Sequence, residues 1–562
     1  MASAGLAPES LAKQRLRSVG RGALMLLAFW ILAFAGRVLA GAPDSSFGAW
    51  EDEPAHLVTG LMIRDFLAEG DFSDPGGFAR DYYAAYPKVA FGQWPPLVHL
   101  ILGVWTLALG DSRLSLILLT TLVAALGALM TRALARATGI PKPIPFVSGL
   151  LFLALPPVQE YSGLVMTEGP LAMTCGLAVL GFARLLERDD NWGVFVFVLG
   201  SVASLLIKGL AMALAFLPLL AIPIAWHWGR LGSRRLWLSG GLIGAMTAPW
   251  HLSFYETSTT TWSGGASPSF GYVKYALTYY PQDLVNLGGP AVLVFAIFGV
   301  IAGLLSPGTR ARWAVYLAWV VSVALLLILV PSSVESRHLI LIAPILAAAS
   351  ISGAWVVSTR ISSKHSTAWT LGLSMLAFLP LGLRFPEKRF HGFEEVASRC
   401  IHDESLAQGP FLVASDAAGE GMLVSEFLLA RGGVDGGPVI RASKVLGSGN
   451  WLGRGYAPRF ETVAALHEFL LSVPVAAVAI DTTAKPKHWF EHFDQLLEMV
   501  ETFPDHWREV ARIDVQRNGD VLPGAMLLYE LKGHAELPRT EFTYEMAQGT
   551  ALRHGLPREE DL

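Results

Sequence analysis

Long apolar runs recur between residues 22 and 383, and nothing else constrains this chain as much. A helix needs about 20 apolar residues to cross the hydrocarbon core of a bilayer. Only helices and closed barrels can do so, because backbone N–H and C=O groups find no water there. The candidate runs are 22–40, 97–109, 114–131, 144–158, 169–186, 193–207, 210–228, 236–250, 289–305, 312–330, 338–357 and 367–383. They predict a polytopic α-helical membrane protein. Only 16% of the 562 residues are charged, against about 25% in an ordinary soluble chain. The deficit sits in the apolar part, and residues 385–562 are ordinary mixed sequence.

Charge placement decides which runs cross. Lys13, Arg15, Arg17 and Arg21 precede the first run. That run is long and lacks a clear cleavage site, so it reads as a retained first span behind a cytoplasmic tail (1–21), not as a signal peptide. Twelve spans would place the basic loops around Arg132, Arg184, Arg230, Arg310 and Arg360 outside, against the positive-inside rule. The 97–109 run has 13 residues, short for a crossing and suited to the interface. Leaving it out gives eleven spans and puts every basic loop inside. A second solution leaves out 144–158 instead and misplaces only the Arg132 loop. Both put the domain at 385–562 outside, periplasmic or extracellular, with the long first loop (42–113). Arg outnumbers Lys and no Asn-x-Ser/Thr sequon occurs, which leans towards a bacterial inner membrane.

Residues 385–562 alternate short β-like runs with amphipathic helices, the pattern of a soluble α/β domain. Strands are expected at Phe411–Ser415, Pro438–Arg441, Val475–Ile480 and Ala525–Leu531. Helices are expected at Glu420–Arg431, Glu461–Ser472 and His488–Glu501. The Gly447-Ser-Gly449 triplet is no dinucleotide fingerprint. A net charge of −4 implies no nucleic-acid surface. Cys175 and Cys400 lie far apart, without metal-site spacing.

The chemistry-bearing residues fall on the outer side. Trp50-Glu51-Asp52-Glu53-Pro54-Ala-His56 follows the first span. Pro54 suits a first helical turn and the acids its positive end. A carboxylate there also suits a general base, or a divalent cation. An amphipathic helix through Leu57, Leu61 and Phe66 is expected to lie along the membrane surface. Trp94-Pro95-Pro96-Leu97-Val-His99 opens the short apolar run, and Glu168 stands at the outer end of a span. Arg113, Lys208, Arg337 and His338 stand at outer span ends, where cations are otherwise scarce. One such cation reads equally as a snorkelling flank or a phosphate ligand; four favour an anionic lipid headgroup.

These pieces together resemble the GT-C superfamily of polyprenyl-phosphate-sugar-dependent glycosyltransferases, nearest the bacterial relatives of protein O-mannosyltransferases and of the lipid A aminoarabinose transferase. The resemblance covers about residues 20–385. It rests on Asp52-Glu53-x-x-His56, Trp94-Pro95-Pro96-Leu97, Arg113-Leu-Ser, Thr167-Glu168, Lys208-Gly209, Ala248-Pro249-Trp250 and Ser336-Arg337-His338-Leu339. Each motif is short; their order on one membrane side is the specific signal. The resemblance implies Asp52 as catalytic base, Glu53 as its companion and Glu168 as the second acid. It implies Lys88, Arg113, Lys208, Arg337 and His338 around the donor phosphate, with His56, Trp94 and His99 lining the cavity. The family often has Lys directly before Pro-Pro; here Trp94 stands there and Lys88 lies earlier.

The implied reaction is inverting transfer of a sugar from a polyprenyl phosphate to a lipid, glycan or protein hydroxyl, with no metal or other cofactor. A lipid-linked glycan polymerase or ligase, a transporter or flippase, and a membrane scaffold are the competing readings. A transporter would carry ionisable residues at the midplane and internal repeats; the sequence shows neither.

Overall fold

A computed structural model describes residues 8–258, 269–331, 333–382, 384–404, 406–407, 409–433, 437–448, 456–473, 475–484, 488–518, 520–521, 523–537, 542–545 and 551–554. The chain forms two compact units. One comprises residues 1–40, 117–163 and 167–386; the other comprises 41–116, 164–166 and 387–562. The first loop thus belongs to the same unit as the C-terminal domain, a grouping that chain order does not suggest.

The first unit is a helical membrane domain. Among the described residues, six helices are long and apolar enough to cross a bilayer: Val19–Leu39, Arg113–Ala137, Glu168–Arg188, Phe270–Leu305, Arg310–Leu329 and Ser336–Ile361. Five shorter or less apolar helical segments accompany them: Pro145–Ala154, Asn191–Leu205, Gly209–Ala225, Arg234–Ser253 and Ser366–Gly382. Eleven crossings are expected from charge placement; Pro145–Ala154, with 10 residues, is shorter than the excluded Leu97–Leu109, with 13. Several of the helices are interrupted. Pro156 starts a new short helix, Pro156–Tyr161, after the turn at Leu155. Lys208 is extended before a 3₁₀ segment, Gly209–Ala215, and a second 3₁₀ segment, Ser336–Ile342, precedes the Ala343–Ile361 helix.

The aromatic-rich stretch between the apolar runs 236–250 and 289–305 is partly helical. The Ser269 hydroxyl accepts from the Tyr272 N–H at the start of the Phe270–Leu305 helix, which kinks at Gly289 (φ 78°) just before Pro290. Aromatic residues do not break a helix; the Gly-Pro step only bends it. Residues 259–268 of that stretch lie outside the described residues.

In the second unit the Asp52–Glu69 helix departs from expectation. Its residues from Glu53 to Met62 are all buried in protein, where a helix floating on the membrane surface was expected. The Leu97–Leu109 helix covers it. The two meet at glycines: a Cβ on Gly103 would stand 3.0 Å from the Gly60 carbonyl oxygen. At 1.5 Å per residue this 13-residue helix spans about 20 Å, short of the ~30 Å core.

The C-terminal part carries a five-stranded sheet in the order Val439–Arg441, Phe411–Ala414, Ala477–Asp481, Met526–Leu531, Trp507–Ile513. The first three strands run parallel and the last two antiparallel. Helices Ala417–Arg431, Val463–Ser472 and Glu491–Thr502 fall where the sequence places them. The edge strand Trp507–Ile513 was not anticipated. Its Arg508, Glu509 and Arg512 disguise it, as charges commonly do on edges that must resist pairing with another chain. Gly447–Ser448 pairs with Ala457–Pro458, and Gly449 lies outside the described residues. Cys175 and Cys400 are both buried free thiols.

Candidate active site

The three acids after the first span take different surroundings because successive helical side chains point about 100° apart. Glu51 and Asp52 remain half-buried, whereas Glu53 is fully buried. Asp52 and Glu53 occupy the first turn of their helix, whose positive end favours carboxylates. Both Glu53 oxygens are engaged. Oε2 accepts from the Ala49 N–H at 3.0 Å; Oε1 accepts from the Val165 N–H at 3.0 Å and from Lys388 Nζ at 2.7 Å. Lys388 also lies 4.3 Å from the Phe47 ring centre. Glu53 is therefore a tie that joins three chain segments, while Asp52 retains access to solvent.

His56 and His99 are buried where the two helices of the loop cross. His56 Nδ1 and His99 Nε2 are 2.9 Å apart, and the Trp94 ring packs on His56 with centroids 4.4 Å apart. One nitrogen of this pair must donate and the other accept, so both rings cannot be charged. Burial, reinforced by His56, holds His99 well below the usual imidazole range. Pro95 and Pro96 directly precede the Leu97–Leu109 helix, as their fixed φ favours.

Lys88 lies against the start of the Asp52 helix. A Cβ on Gly421, in the C-terminal part of the same unit, would stand 2.9 Å from Lys88 Cε and 3.0 Å from Pro54 Cγ. Burial, with Arg441 adding to it and Glu51, Asp52 and Glu420 opposing, brings the Lys88 amine down to about 7. Arg113 is committed elsewhere: its guanidinium donates to Glu426 Oε2 at 2.5 Å and to the Ser45 carbonyl at 3.2 Å. Burial raises the Glu426 carboxyl despite this partner.

The other expected residues gather in the membrane unit. Lys208 Nζ donates to Glu168 Oε1 at 2.6 Å, and Arg337 Nε stands 3.9 Å from the same oxygen. Arg337 also pairs with Glu335, and the Tyr161 phenol feels Glu168, Glu160, Arg337 and Glu335. His338 Nδ1 lies 3.4 Å from the Tyr280 hydroxyl. Glu168, Lys208, Arg337 and His338 are all buried. Lys208 and Arg337 owe their positions to the helix interruptions at Lys208-Gly209 and Ser336–Ile342. The two cations and two acids cancel in formal charge, so an arriving anion would compete with Glu168 and Glu335 for their donors.

The expected residues thus form two clusters: Asp52, Glu53, His56, Lys88, Trp94, His99 and Arg113 in one unit, Glu168, Lys208, Arg337 and His338 in the other. Sequence reasoning missed Lys388, Glu335, Tyr161, Glu426 and the Glu420–Arg441 pair. Lys388 sits in a charged stretch that reads as a linker after the last span. The partners from the C-terminal domain lie over 300 residues from the loop they contact, beyond the reach of any local pattern.

No family model matches the chain, and no curated protein matches it in sequence. Solved structures do match in fold. ArnT from Cupriavidus metallidurans, the lipid A aminoarabinose transferase, superposes in its apo state with a TM-score of 0.57 at 12% identity, covering 92% of this chain and 99% of that one. The same enzyme bound to undecaprenyl phosphate gives 0.55 over the same shares. The apo oligosaccharyltransferase of Archaeoglobus fulgidus gives 0.52 at 12% identity, over 82% of this chain and 69% of that one. Both enzymes belong to the GT-C superfamily, and this chain has that fold: a multi-pass helical membrane domain with a C-terminal α/β domain.

Proposed function

We propose that the protein is an inverting glycosyltransferase that moves a sugar from a polyprenyl-phosphate donor to an acceptor hydroxyl at the outer face of a bacterial inner membrane. The observation that carries this reading is the likeness over 99% of the length of ArnT, a protein also solved with undecaprenyl phosphate bound. The residues of the two clusters have the chemistry such a reaction needs.

Asp52 is the base: half-buried at a helix start, it takes the acceptor proton as the hydroxyl oxygen attacks the anomeric carbon. The bond from that carbon to the phosphate oxygen breaks, and the polyprenyl phosphate leaves with the electron pair. Attack from the opposite face inverts the anomeric configuration. Lys208 and Arg337 take the phosphate charge by exchanging their pairing with Glu168 and Glu335, and the fixed cations stabilise the leaving group. A phosphate leaves readily without a general acid, and Lys208 and Arg337 supply the positive charge, so no metal is expected. Glu53 anchors the same helix turn through Ala49, Val165 and Lys388, and His56, packed on Trp94 and paired with His99, fixes the helix one turn on.

Mass spectrometry of envelope lipids and glycans tests this, in cells making the wild type or Asp52→Asn at equal membrane levels. The wild type adds the mass of a sugar. The Asn variant loses the product by roughly 10²- to 10⁴-fold, the usual contribution of a positioned base. A fully active Asn variant removes Asp52 from this role.

A further inference from the structure

One helix of the C-terminal domain, Ala417–Arg431, makes several separate contacts with the loop that carries Asp52. Gly421 meets Pro54 and Lys88 so closely that only glycine fits without a shift. Its neighbour Met422 fills the space beside Gly48, where an added Cβ would stand 1.9 Å from Met422 Cγ. One turn on, Glu426 holds Arg113. One residue before Gly421, Glu420 is fully buried and accepts from Arg441 Nε at 2.8 Å, from the Ser443 N–H at 2.8 Å and from the Ser443 hydroxyl at 2.5 Å. The guanidinium so fixed donates through its Nη1 to the Pro87 carbonyl at 3.3 Å, directly before Lys88.

We propose that Arg441, anchored by Glu420, is a positioning residue for the transfer proposed above: from the C-terminal domain it fixes the Lys88 amine as the charge partner of the Asp52 base. The inference rests on that functional reading. Among the described residues, the Lys88 amine feels the charges of Glu51 and Asp52 from the start of the loop helix and of Glu420 and Arg441 from the C-terminal domain. Tyr83 is buried nearby and feels Arg441. Arg441 opposes a second positive charge, and the acids favour it. With the amine near neutrality, small changes at Arg441 decide whether Asp52 works beside an ammonium or a neutral amine. An Asp52 without its ammonium is easier to protonate and binds the acceptor proton differently. The C-terminal domain then enters the chemistry itself, in addition to any part in choosing the acceptor.

The experiment titrates Lys88 directly in the full-length protein. Brief acetic anhydride modification is carried out across pH 5–10, about the span within which environment can move a lysine, and the Lys88 peptide is read by mass spectrometry. Wild-type Lys88 is expected to gain reactivity around pH 7, and Glu420→Gln, which leaves Arg441 unopposed, to do so at lower pH. Relative to that variant, Glu420→Gln/Arg441→Gln is expected to rise by about one pH unit, and Arg441→Lys to keep the wild-type midpoint. Asp52→Asn lowers the midpoint because a favouring charge is gone. Product formation by the wild type is expected to fall as pH rises through the same midpoint, and to follow it in the variants.

A wild-type Lys88 that titrates like a free lysine overturns the proposal. So does a double variant that coincides with Glu420→Gln, or an Asp52→Asn midpoint equal to the wild type. The titration needs no sugar transfer. The expected midpoints in a protein that forms no glycosylated product would leave the charge coupling standing and sink the functional reading alone.

Discussion

Two buried lysine–glutamate pairs, one in each unit, have nearly the same geometry and different surroundings. Lys388 meets Glu53 at 2.7 Å, and Lys208 meets Glu168 at 2.6 Å. Glu53 spends its remaining capacity on two fixed backbone N–H groups, and Lys388 rests on the Phe47 ring. With both carboxylate oxygens held by fixed donors, that pair serves as a strut. Around Glu168 the neighbours are themselves ionisable: Arg337, Glu335 and Tyr161. There a partner can be exchanged without leaving a charge bare, as an anion site requires. The identity of a buried pair therefore says less about its role than what surrounds it.

The largest expected effect falls on the strut. Glu53→Gln removes the carboxylate that holds the buried Lys388 ammonium at 2.7 Å and should cost about 3–5 kcal/mol of stability, seen as a large drop in thermal unfolding temperature in detergent. Glu53→Gln/Lys388→Met should recover most of that loss. A Glu53→Gln protein as stable as the wild type would end the distinction.

The second effect is on binding. Replacing the other pair together, Glu168→Gln/Lys208→Met, avoids an orphaned charge. It should weaken undecaprenyl phosphate binding about tenfold or more, equivalent to about 1.4 kcal/mol, with little change in unfolding. Unchanged binding in a destabilised protein would make this pair a second strut.

A third, smaller effect concerns Arg113. Glu426→Gln should cost about 1 kcal/mol, because the Arg113 side chain is still 26% exposed and water screens the pair. Binding of undecaprenyl phosphate should stay within twofold. A marked gain would restore Arg113 to the phosphate site once its partner is removed.

The smallest effect is expected from a strong chelator, which should leave the rate of sugar transfer unchanged. Complete loss would require a metal beside the carboxylates and change the reading of Asp52.

Much of the fold was legible in the sequence because bilayer crossing imposes a long one-dimensional signal. The many-helix membrane domain and the α/β pattern after residue 385 follow from run length and composition. The bend at Gly289 and the unwound segment after Lys208 coincide with glycine or proline, which act locally; Ser336–Ile342 contains neither. The individual site residues could be nominated, but their tasks could not be sorted. Asp52 and Glu53 look equivalent in sequence; burial separates a half-exposed carboxylate from a saturated one. Arg113 looks like a phosphate ligand until Glu426, over 300 residues away, claims it.

By itself, the sequence determined that this chain crosses a membrane many times and gathers its acids and cations at the ends of the spans. Hydrophobic transfer and the positive-inside bias act on each segment separately, so they can be read without knowing what touches what. Only the tertiary structure decided that the loop with Asp52 packs with the C-terminal domain, that Glu53 serves as a tie, and that Lys88 lies between Pro54 and Gly421. Such roles depend on which distant groups supply the missing hydrogen bonds and charges, and folding alone brings those groups together.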